Sequence, residues 1–191
     1  MTIAIIGNGN IGSGLAGALS KAGHDVAAYD KDADLAQAVK GADIVILATP
    51  FGAAEDIAKA ADFAGKIVVD VSNPMTADMS GLSVGLTTSA AEDIAALLPG
   101  ATLVKAFNTV FAGHYGGDLT LNGAPIQTFV ASDDDAAKDT ITKLAASIGL
   151  EPINAGPLKN ARYLEPLGFL NIQFGFVLGL GGNIAPKWQI T

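Results

Sequence analysis

The sequence predicts an α/β fold with a doubly wound parallel sheet and a short helical extension at its C-terminal end. Three observations carry this. Short, continuous apolar runs alternate with stretches of helical spacing. The connections between them are short. A glycine-rich turn joins the first run to the first helix.

The elements follow in order. "TIAIIG" is an uninterrupted apolar run of the kind a parallel strand needs when both its faces are covered. In the next segment Ile11, Leu15, Ala18 and Leu19 share one helical face. "HDVAAYD" reads as a second strand. "DADLAQAVKGA" reads as a helix with Asp32 as its N-cap. "DIVILATP" is a third strand closed by Pro50, "GAAEDIAKAADFAG" a helix, and "KIVVDVSNP" a fourth strand closed by Asn73-Pro74. "SAAEDIAALLPG" is a helix capped by Ser89, and "ATLVKAFNT" a fifth strand. Right-handed crossovers then wind the sheet on both faces. Beyond it, "LTLNGAPIQTFVAS" suggests a strand pair around Asn122-Gly123. A helix over "DDDAAKDTITKLAASIG" and a short strand at "LEPINAG" follow, and the remainder reads as mostly helical with a glycine-rich tail. This divides the chain into residues 1–155 and a helical segment, 156–191, that helps to form an acceptor pocket or a dimer interface.

Composition excludes several functions. A net charge of -8 leaves no basic patch for nucleic acid or an anionic membrane surface. With no cysteine there is no thiol catalysis, disulfide framework or zinc–thiolate site. The N-terminus goes straight into a strand without a basic, cleavable leader, and the late apolar run is interrupted by Glu165, Pro166, Gly168, Asn171 and Gln173. The expectation is a cytoplasmic protein with a small-molecule substrate. Arg162 is the only arginine. A phosphate site must therefore rest on backbone N–H groups, helix N-termini and a few lysines.

The turn "GNGNIG", Gly7 to Gly12, matches G-x-G-x-x-G between a strand and a helix. That context makes it a Rossmann fingerprint for a dinucleotide. Gly7 permits the tight turn, Gly9 lets the backbone approach a pyrophosphate, and Gly12 lets the helix pack against the strand. Asn8, Asn10 and Ile11 complete the cradle at the N-terminus of the helix. Asp30 ends the second strand, 18 residues beyond Gly12, where a carboxylate binds the adenosine ribose hydroxyls. Its charge repels a 2′-phosphate, so it favours NAD over NADP, and Lys31 offsets part of that repulsion. Ligands of such sheets lie beyond the carboxyl ends of the strands. This makes Thr49, Pro50, Phe51, Asn73, Pro74, Asn108 and Thr109 candidate contacts to the ribose and nicotinamide.

Taken together, "GNGNIGSGLAGALSKAGHDV", "DIVILATP", "KIVVDVSNP", "LVKAFNT" and "AGPLKNARYLEPL" resemble the NADP oxidoreductases that depend on the deazaflavin coenzyme F-420. They are also similar to the cytosolic domains of membrane ferric reductases. The resemblance implies a Rossmann domain, a short C-terminal part, a homodimer, and hydride transfer between nicotinamide and a flavin-type ring. It assigns Gly7, Gly9, Asn10, Ile11 and Gly12 to the pyrophosphate, and Thr49-Pro50 and Asn73-Pro74 to the strand-end motifs. Asn108-Thr109, with Val110 and Phe111, falls beside the flavin-type ring, and Gly156-Pro157-Leu158 and Arg162 open the C-terminal part. Where the F-420 enzymes carry a Ser–Arg pair for the 2′-phosphate, this chain has Asp30 and Lys31, which again favours NAD. The segment between the "NP" and "FNT" motifs is shorter than in that family, and so is the chain.

Hydride transfer between two stacked rings needs alignment more than an acid or base, so no catalytic side chain is expected. His24 falls at the far end of the sheet, whereas His114 follows the fifth strand near the active edge and is a candidate to touch the acceptor. Asp133–Asp135 read as a helix cap and first turn, not as a metal site. Phe174, Phe176 and Trp188 read as core first, and otherwise as a wall of an acceptor pocket or a dimer interface. Two other functions fit the glycine loop. One is a non-catalytic redox-sensing module. The other is a dehydrogenase of a small hydroxy or imino acid, with Lys159 as its acid.

Overall fold

The protein is described by a computed structural model covering residues 1–189. Five parallel strands form the central sheet: β1 (Thr2–Ile6), β2 (Asp25–Tyr29), β3 (Ile44–Leu47), β4 (Ile67–Asp70) and β5 (Thr102–Lys105). Their order is β2-β1-β3-β4-β5. The winding direction reverses between β1 and β3, and that switch point opens a crevice at the carboxyl ends of the strands. The helices are α1 (Asn10–Lys21), α2 (Leu35–Gly41), α3 (Ala54–Ala60), α4 (Ala90–Leu97), α5 (Asp135–Ser147) and α6 (Ala161–Ile172).

Alternation along the strands builds two cores. Ile3, Ile5, Ile44, Ile46, Val69 and Val104 face Leu15 and Leu19 of α1 and Ile141 and Leu144 of α5. Ala4, Ile6, Val45, Leu47 and Val68 face Val39, Ile57 and Ile94 on the opposite side. With both faces covered, the strands read as continuous apolar runs.

The sheet has an appendage. Asn122 and Gly123 both adopt positive φ, 51° and 76°, and turn a two-residue hairpin between β6 (Thr120–Leu121) and β7 (Ala124–Pro125). The rest of the expected strand pair separates as β8 (Gln127–Val130). It runs parallel to β9 (Glu151–Asn154) and joins β5 through an antiparallel bridge between Lys105 and Ala131.

Three expectations change. The N-cap of α2 is Asp34, whose carboxylate accepts from Gln37 N at 3.1 Å, and not Asp32. Asp32 is held earlier, in a turn where its own N–H donates to Asp30 Oδ1. β3, β4 and β5 end two to four residues sooner, leaving Ala48-Thr49, Val71–Asn73 and Ala106–Thr109 beyond the strands. Helical structure stops with a π-turn over Gln173–Val177, and the remaining tail is irregular. The last two residues of the 156–191 segment lie outside the described residues.

Candidate functional site

The glycine loop is built by close packing. Gly7 has φ +105°, and a Cβ there would sit 2.4 Å from Ala48 O. A Cβ on Gly12 would sit 1.8 Å from Gly7 O. A Cβ on Gly9 would meet nothing within 4 Å. The outer glycines thus hold α1 against the ends of β1 and β3, while the middle one presents bare backbone to open space. Ser13 N to Gly9 O, at 2.9 Å, is the first helical bond. The N–H groups of Asn10, Ile11 and Gly12 therefore have no acceptor within the helix. Together with the positive end of the α1 dipole they can hold a pyrophosphate.

The rims of the crevice come from the neighbouring strands. Asp30 and Lys31 are exposed at the end of β2, and Asp30 Oδ1 accepts from Asp32 N at 3.0 Å. Thr49 and Phe51 are half-buried across the switch point, and Pro50 opens the short 3-10 turn that leads into α3. Thr49 Cγ2 lies 3.0 Å from where a Gly7 Cβ would be, so this rim touches the loop directly.

Asn73 and Asn108 lie beyond β4 and β5. Phe107, buried to 1%, has φ +64°. A bulky residue pays about 1–3 kcal/mol for that conformation. It is held there by its ring in the core and by its N–H donating to Thr128 Oγ1 at 3.1 Å. The reversal brings Asn108 onto Asn73, and Asn108 Nδ2 donates to Asn73 Oδ1 (2.9 Å) and to Leu164 O (2.8 Å). Gly168 packs bare against Asn73, where a Cβ would be 2.6 Å from Oδ1. Asn171 Nδ2 reaches Thr109 O at 3.1 Å. Pro74 and Thr109 are buried. Ser72 Oγ, Asn108 Oδ1 and Thr109 Oγ1 are buried without a hydrogen-bond partner. Side chains and backbone of α6 thus form one ledge with the two strand ends.

Beneath the ledge lies a buried ionic cluster that sequence reading missed. Asp70 and Lys105 are register partners on β4 and β5. Lys105 Nζ donates to Asp70 Oδ2 at 2.7 Å and to Glu165 Oε1 at 2.9 Å, with all three side chains essentially inaccessible. Glu165 also accepts from Ala90 N (2.9 Å) and Ala91 N (3.1 Å) at the start of α4. Burial pushes its carboxyl above the ordinary range, while Lys105 beside it pulls the other way. Charged residues at the ends of two buried strands and a lone Glu inside the apolar run "YLEPLGFL" were the available signal.

The remaining candidates resolve individually. His114 is buried and its Nε2 lies 3.1 Å from Ile184 O, so it holds the C-terminal tail and does not face the crevice. His24 Nε2 lies 2.7 Å from Ser147 Oγ on α5. Asp134 caps α5, Asp133 accepts from Leu158 N, and Asp135 pairs with Lys138, so the three acids serve three separate partners. Arg162 forms a bidentate pair with Glu92 on α4, at 2.8 and 2.7 Å, and its guanidinium holds that carboxyl below the usual range. Lys159 is exposed. Phe174, Phe176 and Trp188 are not core: each is exposed. Phe176 rests on Phe111 with ring centroids 5.1 Å apart, and Gln127 grips the backbone of Trp188 on both sides. Among the described residues no helix is long and apolar enough to cross a membrane.

Residues 2–110 match the family of NAD-binding domains of 6-phosphogluconate dehydrogenase. A crystal structure from Arthrobacter sp. FB24, provisionally assigned as an F-420-dependent NADP reductase, superposes over 100% of both chains with a TM-score of 0.89 and 29% identity. SMa0349 from Sinorhizobium meliloti is 31% identical, with a TM-score of 0.71 over 83% of this chain and 86% of that one. The rat metalloreductase STEAP3 is 35% identical over 108 residues, which is 54% of this chain and 20% of that protein. The chain therefore spans about a fifth of the length of the curated relatives it matches. These similarities agree with the resemblance drawn from the sequence motifs.

Proposed function

This chain belongs to the family of NAD-binding domains of 6-phosphogluconate dehydrogenase, and from that premise we propose that it is an NAD(P)-dependent oxidoreductase whose hydride partner is a flavin-type ring, coenzyme F-420 or a flavin. The observation that carries the reading is the glycine loop, open at Gly9, on the same carboxyl edge of the parallel sheet as the Asn73–Asn108 pair beyond β4 and β5. When bound, the nicotinamide supplies the hydride chemistry. The chain's own part is to bind and orient. Gly7 to Gly12 hold the pyrophosphate, Asp30 the ribose, and Thr49, Pro50 and Phe51 the near rim. Asn73, Pro74, Asn108 and Thr109 form the wall at the nicotinamide end. Asp30 favours NAD.

The proposal includes a cytoplasmic homodimer. Tyr163, Leu167, Leu170, Phe174 and Val177 follow a 4-3-4-3 spacing along α6 and its π-turn, and all but the half-buried Leu167 are exposed. Residues 166–186 contain no charged side chain. A chain of net charge -8 needs such an uncharged patch to meet its own copy.

Stopped-flow mixing of NADH or NADPH with F-420, FMN and FAD tests the activity. Reoxidation of the nicotinamide by one of them supports the reading, and no transfer to any of the three defeats it.

A further inference from the structure

We infer that Glu165, acting with Lys105 and Asp70, is a positioning residue that sets the Asn73–Asn108 ledge at the nicotinamide end of the crevice. The inference rests on the dinucleotide-binding reading above.

The connections run outward from the cluster in both directions. Ser72, the residue before Asn73, is clamped on its two backbone groups: its N–H donates to Asp70 Oδ1 at 2.8 Å and its carbonyl accepts from Lys105 Nζ. On the other side, Glu165 follows Leu164, whose carbonyl accepts from Asn108, and lies three residues before Gly168, which abuts Asn73. One carboxylate therefore fixes the height of α6 over both asparagines. Both of its oxygens also accept from the start of α4, which ties this arrangement to that helix.

A cluster serving only stability could be apolar. Replacing a buried ion pair with well-packed hydrophobic residues is often neutral or stabilising. Charges at this depth are instead suited to fixing one geometry, because Lys105 Nζ has an acceptor for each of its three protons and both Glu165 oxygens are engaged by fixed donors. Misplacement of a reacting ring by about 1 Å can cost about 100-fold in rate, so a rigid ledge has a direct use here.

The test compares NADH with ADP-ribose, which shares the glycine loop and Asp30 but lacks the nicotinamide ring. Both are titrated calorimetrically into the wild type, Glu165→Gln, Gly168→Ala and Arg162→Ala. Glu165→Gln keeps the volume but turns an amide N–H₂ toward Ala90 N or Lys105. Gly168→Ala displaces the Asn73 amide without touching the cluster, so it carries the test if Glu165→Gln does not fold. Arg162→Ala removes the other tie between α6 and α4. The expected result is a fall of about tenfold in NADH affinity for Glu165→Gln and Gly168→Ala, with ADP-ribose changed by less than about twofold. Arg162→Ala is expected to lower the melting temperature and leave the ratio of the two affinities unchanged. Equal losses for both ligands, no loss for either, or the same selective loss in Arg162→Ala would overturn the inference. A wild type that binds neither ligand defeats the dinucleotide reading itself, and this is seen before any variant is made.

Discussion

Asn73 and Asn108 exchange hydrogen bonds across the ends of β4 and β5. Asn73 Nδ2 donates to the Asn108 carbonyl, and Asn108 Nδ2 donates to Asn73 Oδ1, both at 2.9 Å. Each amide is therefore engaged in holding the other strand end. Asn108→Ala removes the donor to Asn73 Oδ1 and to Leu164 O and leaves two largely buried acceptors unpaired. Such groups cost about 1–3 kcal/mol each. The expected loss is about 2–3 kcal/mol, seen as a lower urea midpoint with an unchanged slope. A midpoint equal to wild type would show that the pair carries no stability.

Gly12 and Gly9 of the loop are expected to separate by substitution. Gly12→Ala drives a methyl into Gly7 O, 1.8 Å away, where only backbone can yield. It should destabilise the protein by several kcal/mol, since overpacking against rigid backbone displaces α1 from the sheet. Gly9→Ala meets no atom within 4 Å. It should leave stability within about 0.5 kcal/mol and still weaken dinucleotide binding by at least about tenfold. Thermal melts and NADH titration on the same preparations check both. Intact NADH binding by a folded Gly9→Ala protein would place the pyrophosphate elsewhere.

How far the sequence carried this reading depended on the range of the interactions. The parallel sheet and the glycine turn were legible, because buried parallel strands have a continuous apolar pattern and the loop's three glycines fall within six residues. Asp34 as the α2 cap was misread for Asp32, since three acids within five residues, Asp30, Asp32 and Asp34, all satisfy the capping preference. The partner of the lone Arg162 had no local signal, because Glu92 lies seventy residues earlier. His114 looked free at the active edge because nothing in the local sequence announces that Ile184 returns to cover it. The Asp70–Lys105–Glu165 cluster joins three elements distant in sequence and was invisible for the same reason. Phe107 is the opposite case: its positive φ has no sequence signal, because a core-forming Phe gives no hint of a left-handed backbone.

Asp30 is expected to decide between the two dinucleotides. Its carboxylate is exposed at the end of β2, beside Lys31. Asp30→Ser removes the charge that repels a 2′-phosphate while leaving Lys31 to attract it. NADH should bind more tightly than NADPH to the native protein, and the variant should narrow that gap by about tenfold, or 1.4 kcal/mol. Because the repulsion acts at an exposed site, the gap should also shrink as salt rises. Tighter binding of NADPH by the native protein would remove the argument from Asp30.

The apolar stripe on α6 gives a direct test of self-association. Leu170 and Phe174 lie at its middle, 46% and 41% exposed. Leu170 also lines a groove walled by Phe129, Ile153, Pro166 and Leu167. Placing carboxylates there, as in Leu170→Glu with Phe174→Glu, adds like charges across a two-fold contact. Sedimentation equilibrium should show a dimer for the native protein and a monomer for the double variant, with little change in the far-ultraviolet spectrum. A native monomer at micromolar concentration would refute the dimer.

The Glu92–Arg162 clasp should make the docking of α6 depend on pH. The guanidinium depresses the Glu92 carboxyl below its ordinary value of 4.5, and Ser89 Oγ donates to the same group. The folded state therefore releases this proton more readily than the unfolded chain does. The resulting stability is present in full above about pH 4.5 and disappears as pH falls through the lower, folded value. Both side chains are partly accessible, 33% and 22%, so water screens the pair and its contribution is small. Arg162→Gln lacks the charge at every pH. The stability gap between native protein and variant, measured by urea unfolding, should be constant from about pH 7 to pH 5 and close toward about pH 3. A gap that stays constant over the whole range would mean that α6 is held by the Glu165 cluster and the asparagine ledge alone.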